Sequence, residues 1–262
     1  MTLFVEGVGV LGPGLAGWRS SRAILAGEAP FHPAPFEVPR VDLLPPVERR
    51  RTGLPVKLAI WAGQDALAGT DIDSGTLSTV FTSSGGDGDV IHEICSTLAC
   101  PEREVSPTRF HNSVHNAPAG YWGIATRSSA PSTSLCGHDW SFAAGLLEAA
   151  GQIAAGQARV LLIAYDAPYP EPLNSVRTIG APFACALLLA GSRSAGTLAR
   201  LALRRGQQGP PTRICDAGLE ALRSANPAAR ALPLLALLAA DAAGRVDLED
   251  SCGAVIALES RP

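Results

Sequence analysis

Between Pro131 and Asp166 the chain reads PSTSLCGHDWSFAAGLLEAAGQIAAGQARVLLIAYD, and no other segment restricts its fold as strongly. Phe142, Leu146, Ala149, Ala150 and Ile153 recur at helical spacing over 142–155, and Gly156 supplies the stop. Arg159–Tyr165 is an apolar run of strand length, as expected for a strand buried on both faces. Pro131–Leu135 enters a sharp turn just before the helix. The segment is therefore strand, turn, helix, strand. Such an elbow aims one side chain over the helix N-terminus, where free N–H groups and the helix dipole favour negative charge. His138 and Asp139 are the candidate residues at its tip.

The remaining pattern predicts an α/β chain with one domain over 1–262. Strands are expected at 3–10, 77–82, 183–189, 198–203 and 251–259. Helices are expected at 18–26, 55–68, 91–98, 117–126 and 232–240. Asn116 is placed to cap the helix at 117–126, with Pro118 in its first turn. Residues 28–55 hold six prolines between Pro30 and Pro46, a density that excludes a regular helix or central strand. The stretch 107–116 also reads as irregular. GVGVLG at 7–12 matches a dinucleotide fingerprint only nominally: it falls within a strand, and no acidic residue follows at the distance a ribose needs.

Several functions are excluded by charge and spacing. A net charge of −3 and a pI near 6.0 give no footprint for nucleic acid. Glu48-Arg49-Arg50-Arg51 is the one basic cluster and reads as a solvated loop. The six cysteines form no CxxC pair and no metal-type spacing. Cys185, Cys215 and Cys252 read as small core residues. His111 and His115 would share a face on a helix, but the segment is not read as one, so no metal is expected there, and no cofactor elsewhere. The N-terminus lacks a signal-peptide pattern and no apolar run reaches membrane-spanning length, so a reducing cytoplasm is expected. Charged residues are only 17%, which fits either an alanine-rich composition or a surface partly covered by a partner.

With these residues in view, the sequence resembles the β-ketoacyl synthase family, of thiolase-like fold. The resemblance rests on VEGVGVLGPG near the N-terminus, on SVHNAPAG at 113–120, and on STSLCGHDWSFAAGLLEA at the elbow. It covers residues 3–190 well and thins beyond, implying a complete N-terminal half over 1–190 and a shortened C-terminal half over 191–262. Within the family, the layout looks closest to short chain-length-factor-like members of aryl polyene pathways. Counting back from Gly156 places the family's nucleophilic cysteine on Asp139, with Cys136 in the strand before it. The family's two catalytic histidines belong to the C-terminal half, and this chain has no histidine after His138.

The resemblance implies a subunit without independent activity that pairs with an active ketosynthase, helps shape its acyl tunnel, and meets an acyl carrier protein. The same resemblance leaves room for a homodimer in isolation. The stretch before the elbow corresponds to tunnel wall and dimer contacts, which nominates Phe110, His111, Val114, His115, Asn116, Tyr121, Trp122, Trp140 and Phe142. Asp139 cannot hold a stable thioester, because carboxylate attack gives a mixed anhydride that water destroys. Two readings of it remain: a capping carboxylate that steadies the elbow, or a residue lining a shared pocket. Cys136 reads as a buried structural thiol. Two other functions stay open: an acyl-thioester-processing enzyme using Cys136 or the His138–Asp139 pair, and a regulatory protein that binds an acyl carrier.

Overall fold

In the computed structural model the chain is described at residues 1–205, 210–249 and 255–261. It opens on β1 (Thr2–Gly12), turns through β2 (Leu15–Ala16) and enters α1 (Trp18–Leu25). Beyond the proline-rich stretch lie α2 (Pro46–Arg51), α3 (Leu54–Leu67) and β3 (Ser78–Thr82). Next come α4 (Gly88–Ala99), α5 (Pro107–Asn112), α6 (Ala117–Thr126) and β4 (Ser132–Leu135). The elbow helix is α7 (Ser141–Ala154), followed by β5 (Arg159–Asp166), α8 (Leu173–Val176) and β6 (Phe183–Ala190). The C-terminal part adds β7 (Ala199–Arg205), α9 (Ala217–Ala225), α10 (Leu232–Ala239), β8 (Gly244–Glu249) and β9 (Val255–Arg261).

One sheet gathers these strands in the order β4-β3-β5-β6-β1-β7-β9-β8, with β2 pairing β1. β3 runs parallel to both β4 and β5, and the other pairings are antiparallel. Both faces of the central strands are covered. Val160, Leu162 and Ala164 pack on the α7 side, whereas Leu161, Ile163 and Tyr165 lie on the side of α3 and Trp122. This alternation explains why β5 reads as an unbroken apolar run.

The glycines of β1 set the distance between sheet and helix. A Cβ built on Gly7 would run into the carbonyl oxygen of Ala66, and one on Gly9 into that of Ala62. α3 answers with small residues, Ala59, Ala62, Gly63 and Ala66, so its backbone rests almost directly on the strand. The nominal dinucleotide motif is thus a packing device.

The structure departs from the sequence reading in several places. Six residues of the proline-rich stretch do form a helix, α2, because Pro46 sits in the first turn, where a missing N–H is harmless. Its basic cluster is therefore helical, and Arg49 pairs with Asp42 at 2.5 Å. Residues 107–112 are also helical, again with proline at the start. Asn116 makes no side-chain cap bond to α6. The sequence pattern predicts none of α8, α9 and β8. Cys185 is buried as expected, but Cys215 is exposed. Of the expected final strand, residues 251–254, Cys252 among them, lie outside the described residues. Among the described residues no helix is long and apolar enough to cross a membrane.

Replacing Gly9 with alanine is expected to lift α3 from the sheet. The cost should reach about 3 kcal/mol, at the upper end for overpacking, because the obstacle is backbone. Urea denaturation of the variant beside the parent chain measures it.

Candidate functional site

β4 ends at Leu135, and three residues later the backbone turns over at His138, whose φ of 53° is left-handed. A 3-10 turn at His138–Trp140 then feeds α7. The turn is closed by Ser141, which is buried. Its Oγ accepts from the Gly137 N–H at 3.1 Å and donates to the His138 carbonyl at 2.7 Å. Thr82, at the end of β3, donates from Oγ1 to the Ser141 carbonyl at 2.8 Å and ties the elbow to the sheet.

Asp139 does not cap α7. The cap position is Trp140, which makes no side-chain bond there. The Asp139 carboxylate instead meets two arginines from distant parts of the chain. Arg177, just after α8, comes within 2.6 Å of Oδ1, and Arg230 donates to Oδ2 at 3.2 Å. His138 Nδ1 stands 3.6 Å from Oδ1, too far for a hydrogen bond. Partial burial pushes the Asp139 carboxyl up, but the Arg177 contact and the charges of Arg230, Arg177 and His138 prevail and hold it below its ordinary value. Asp139 is therefore an anion locked between cations. The pocket beside it, walled by Trp140, Phe142, Ala143, Arg230 and Leu248, has about 20 Å³ of free space, room for one water.

Cys136 is exposed, against the expectation of a buried thiol. Its Sγ donates to the Ser84 carbonyl at 3.1 Å. His115 Nε2 lies 3.2 Å from the neighbouring Ser83 carbonyl, which requires the proton on that nitrogen. His111 sits exposed on α5, edge-on to Tyr121 with ring centroids 6.3 Å apart, while His115 lies beyond that helix, so the two share no helical face. Among the described residues no group of three or more His, Cys, Asp or Glu is arranged to hold a metal ion.

The nine interface or tunnel candidates divide by burial. Tyr121, Trp122 and Phe142 are core residues of this chain. Tyr121 donates its hydroxyl to Asn112 at 2.9 Å, Trp122 packs edge-on to Phe81, and Phe142 lies under the elbow. Trp140 is half-buried, and its ring nitrogen is buried without a partner among the described residues. Phe110, His111, Val114 and Asn116 are exposed, and His115 is half-buried.

Sequence reasoning missed the Asp166 hub. This fully buried carboxylate ends β5 and accepts through Oδ1 from the Ser84 N–H and Oγ at 2.8 Å and from Ser83 Oγ at 3.0 Å. Oδ2 is buried with no hydrogen-bond partner among the described residues. The Ser83–Ser84 turn so held is the one whose carbonyls meet His115 and Cys136. A charged residue closing an apolar strand was the available signal, since a buried charge must find partners. Arg177 and Arg230 carried no comparable signal.

The comparisons with known proteins bear on this site. The family model described as "Beta-ketoacyl synthase, N-terminal domain" matches residues 21–232. The chain belongs to the β-ketoacyl synthase family. Its layered α/β fold is the thiolase-like one. Among solved structures it is similar to the complex titled "Ketosynthase (ApeO) in Complex with its Chain Length Factor (ApeC) from Xenorhabdus doucetiae". The match has a TM-score of 0.74 at 22% identity and covers 99% of both chains. It is similar to "The ishigamide ketosynthase/chain length factor" with a TM-score of 0.74 at 16% identity, over 100% of this chain and 99% of that one. A β-ketoacyl synthase from Burkholderia phymatum STM815 matches at 0.62 and 15% identity, over 91% of this chain and 70% of the longer one. No curated protein matches the chain in sequence.

The hub also generates a pH dependence. Burial pushes the Asp166 carboxyl up to about 6 from 3.8, against the hydrogen bonds from Ser84 and Ser83. A raised folded-state value means stability that is full below the ordinary value and is lost as pH rises through about 6. The loss is on the order of 3 kcal/mol by pH 8. Asp166→Asn keeps an oxygen for all three donors and removes the charge. Urea midpoints between pH 4.5 and 8 should therefore gain on the parent chain as pH rises. Parallel profiles for the two proteins would exclude a buried titrating carboxyl.

Proposed function

We propose that this chain is a non-catalytic, chain-length-factor-like subunit that pairs with an active ketosynthase and helps shape its acyl tunnel, in the manner of aryl polyene systems. One observation carries the reading: at the elbow, on the position assigned to the family's nucleophile, stands an aspartate ion-paired with Arg177 and Arg230. A carboxylate so held cannot carry an acyl group as a thioester, and its pocket has no room for an acyl chain. The sequence also brings no histidine after His138. A shortened C-terminal half over 191–262 belongs to the same reading.

A pairing face supports it. β4 ends the sheet and pairs only with β3 among the described residues, leaving one edge open. Open edges invite a partner strand unless covered or blocked. Beside this edge α6 presents Gly120, Gly123 and Ile124 across a groove of about 710 Å³. A second hollow of about 480 Å³ adjoins it between α5 and α6, with Phe110, Val114 and Ile124 at its rim. These three are 70%, 52% and 47% exposed, large values for apolar side chains grouped on one face. The chain's similarity to solved ketosynthase–chain length factor complexes suits the same partner. An acyl carrier protein would meet the assembled pair in the cytoplasm, where the free thiols of this chain stay reduced.

The enzyme alternative has less to support it. Cys136 is accessible, but its thiol is spent as a donor to a carbonyl, and the Asp139 carboxylate of the His138–Asp139 pair is already bound by arginine. Iodoacetamide at neutral pH should label Cys136 no faster than exposed Cys95; selective rapid labelling would favour the enzyme.

Co-expression with a ketosynthase that keeps its cysteine and two histidines should give a 1:1 complex on size-exclusion chromatography. Ile124→Asp should leave the isolated chain folded and weaken pairing by roughly tenfold or more, since a charge would enter an apolar contact. A chain that never co-elutes with that ketosynthase, and alone turns over an acyl thioester, would overturn the proposal.

A further inference from the structure

We infer that Arg177 and Arg230 constitute a carboxylate-binding site whose resident ligand is the chain's own Asp139, and that the site accepts a small external monocarboxylate when that side chain is cut back. The two guanidinium groups come from separate regions, one after α8 and one from the 3-10 turn Ala228–Ala231. They converge on different oxygens of one carboxyl, Arg177 on Oδ1 and Arg230 on Oδ2. Arg230 holds its oxygen by a hydrogen bond and Arg177 by close charge contact, and neither uses the backbone to which the carboxylate is attached.

The surroundings favour such a site. The three side chains are only 25–28% exposed, whereas the surface pair Arg22 and Asp241 is 49% and 62% exposed. Solvent therefore screens the elbow pair less. Phe142, Ala143 and Leu248 supply apolar walls, and the remaining space of about 20 Å³ admits a water but no organic anion. In the native chain the site is thus filled from within. An external carboxylate enters only after the internal one leaves.

The size of the opening follows from the atoms removed. Asp139→Ala deletes the carboxyl group alone and leaves room for formate. Asp139→Gly deletes the methylene as well and leaves room for acetate. Thermal melts of both variants should be run in sodium formate, sodium acetate and sodium chloride at equal ionic strength. The Tm of D139A is expected to climb with formate concentration more steeply than with acetate, and that of D139G with acetate, by linkage to binding. The parent chain and D139N should respond no more to these carboxylates than to chloride. Adding Arg177→Gln should flatten the carboxylate response.

An equal response to carboxylate and chloride would mean general screening and would overturn the inference. A second measurement needs no variant to fold. The Asp139 carboxyl of the parent chain, followed by carbon NMR, should titrate below its ordinary 3.8, as the two arginines require. Titration at or above that value would overturn the inference whatever the variants do. The outcome is independent of pairing, because every measurement uses this chain alone.

Discussion

The close approach of α3 to β1 is the contact on which the rest of the architecture depends. Gly7 and Gly9 bring the helix backbone onto the strand, and Gly63 on the helix lets Trp122 and Ile163 pack against it. That seats one helix layer while α7 and α10 cover the other face. With both faces sealed, the central strands can be apolar throughout, and functional groups are left to the strand ends. The elbow, the Ser83–Ser84 turn and Asp166 all occur at that end of the sheet, following β4, β3 and β5.

Charge is handled differently at three carboxylates, the half-buried Asp139 and the buried Glu6 and Asp166. Glu6 is engaged by Arg159 and Ser194 at the opposite end of β5, and those contacts outweigh its desolvation. Asp139 is likewise held as an anion, by cations on two sides. Asp166 has only hydroxyl and amide donors on a single oxygen, so desolvation prevails. The contrast follows from the partners: a guanidinium returns enough favourable interaction to keep a carboxylate charged, whereas neutral donors on one side do not. At the elbow this yields a turn whose carboxylate is already paired. Ser141, Gly137 and Thr82 build that turn without using the side chain at its tip.

Legibility in the sequence tracked the range of the interactions. The elbow could be read because helix period, stop glycine and apolar strand are local signals, and α7 and β5 fall within a residue of expectation at each end. The short helices at Pro46 and Pro107 are not legible in the sequence, because clustered proline signals a breaker, although at a first turn it starts a helix. Cys136 is exposed because it follows β4, the terminal strand of the sheet, none of whose residues is buried. Asn116 had the right residue type for a cap and the wrong backbone, with φ −87° and ψ 11°.

By itself the sequence determined the α/β pattern, the elbow, the aspartate at its tip and the lack of later histidines, since each is a matter of residue type and near-neighbour spacing. Only the tertiary structure decided what Asp139 does. Its partners Arg177 and Arg230 lie 38 and 91 residues away along the chain. No local pattern encodes a contact of that range; it exists because the sheet and its helix layers bring three distant segments to one point. The same holds for the open edge of β4 beside Ile124. Whether a strand is central or terminal is a property of the assembled sheet, and its residues do not announce it.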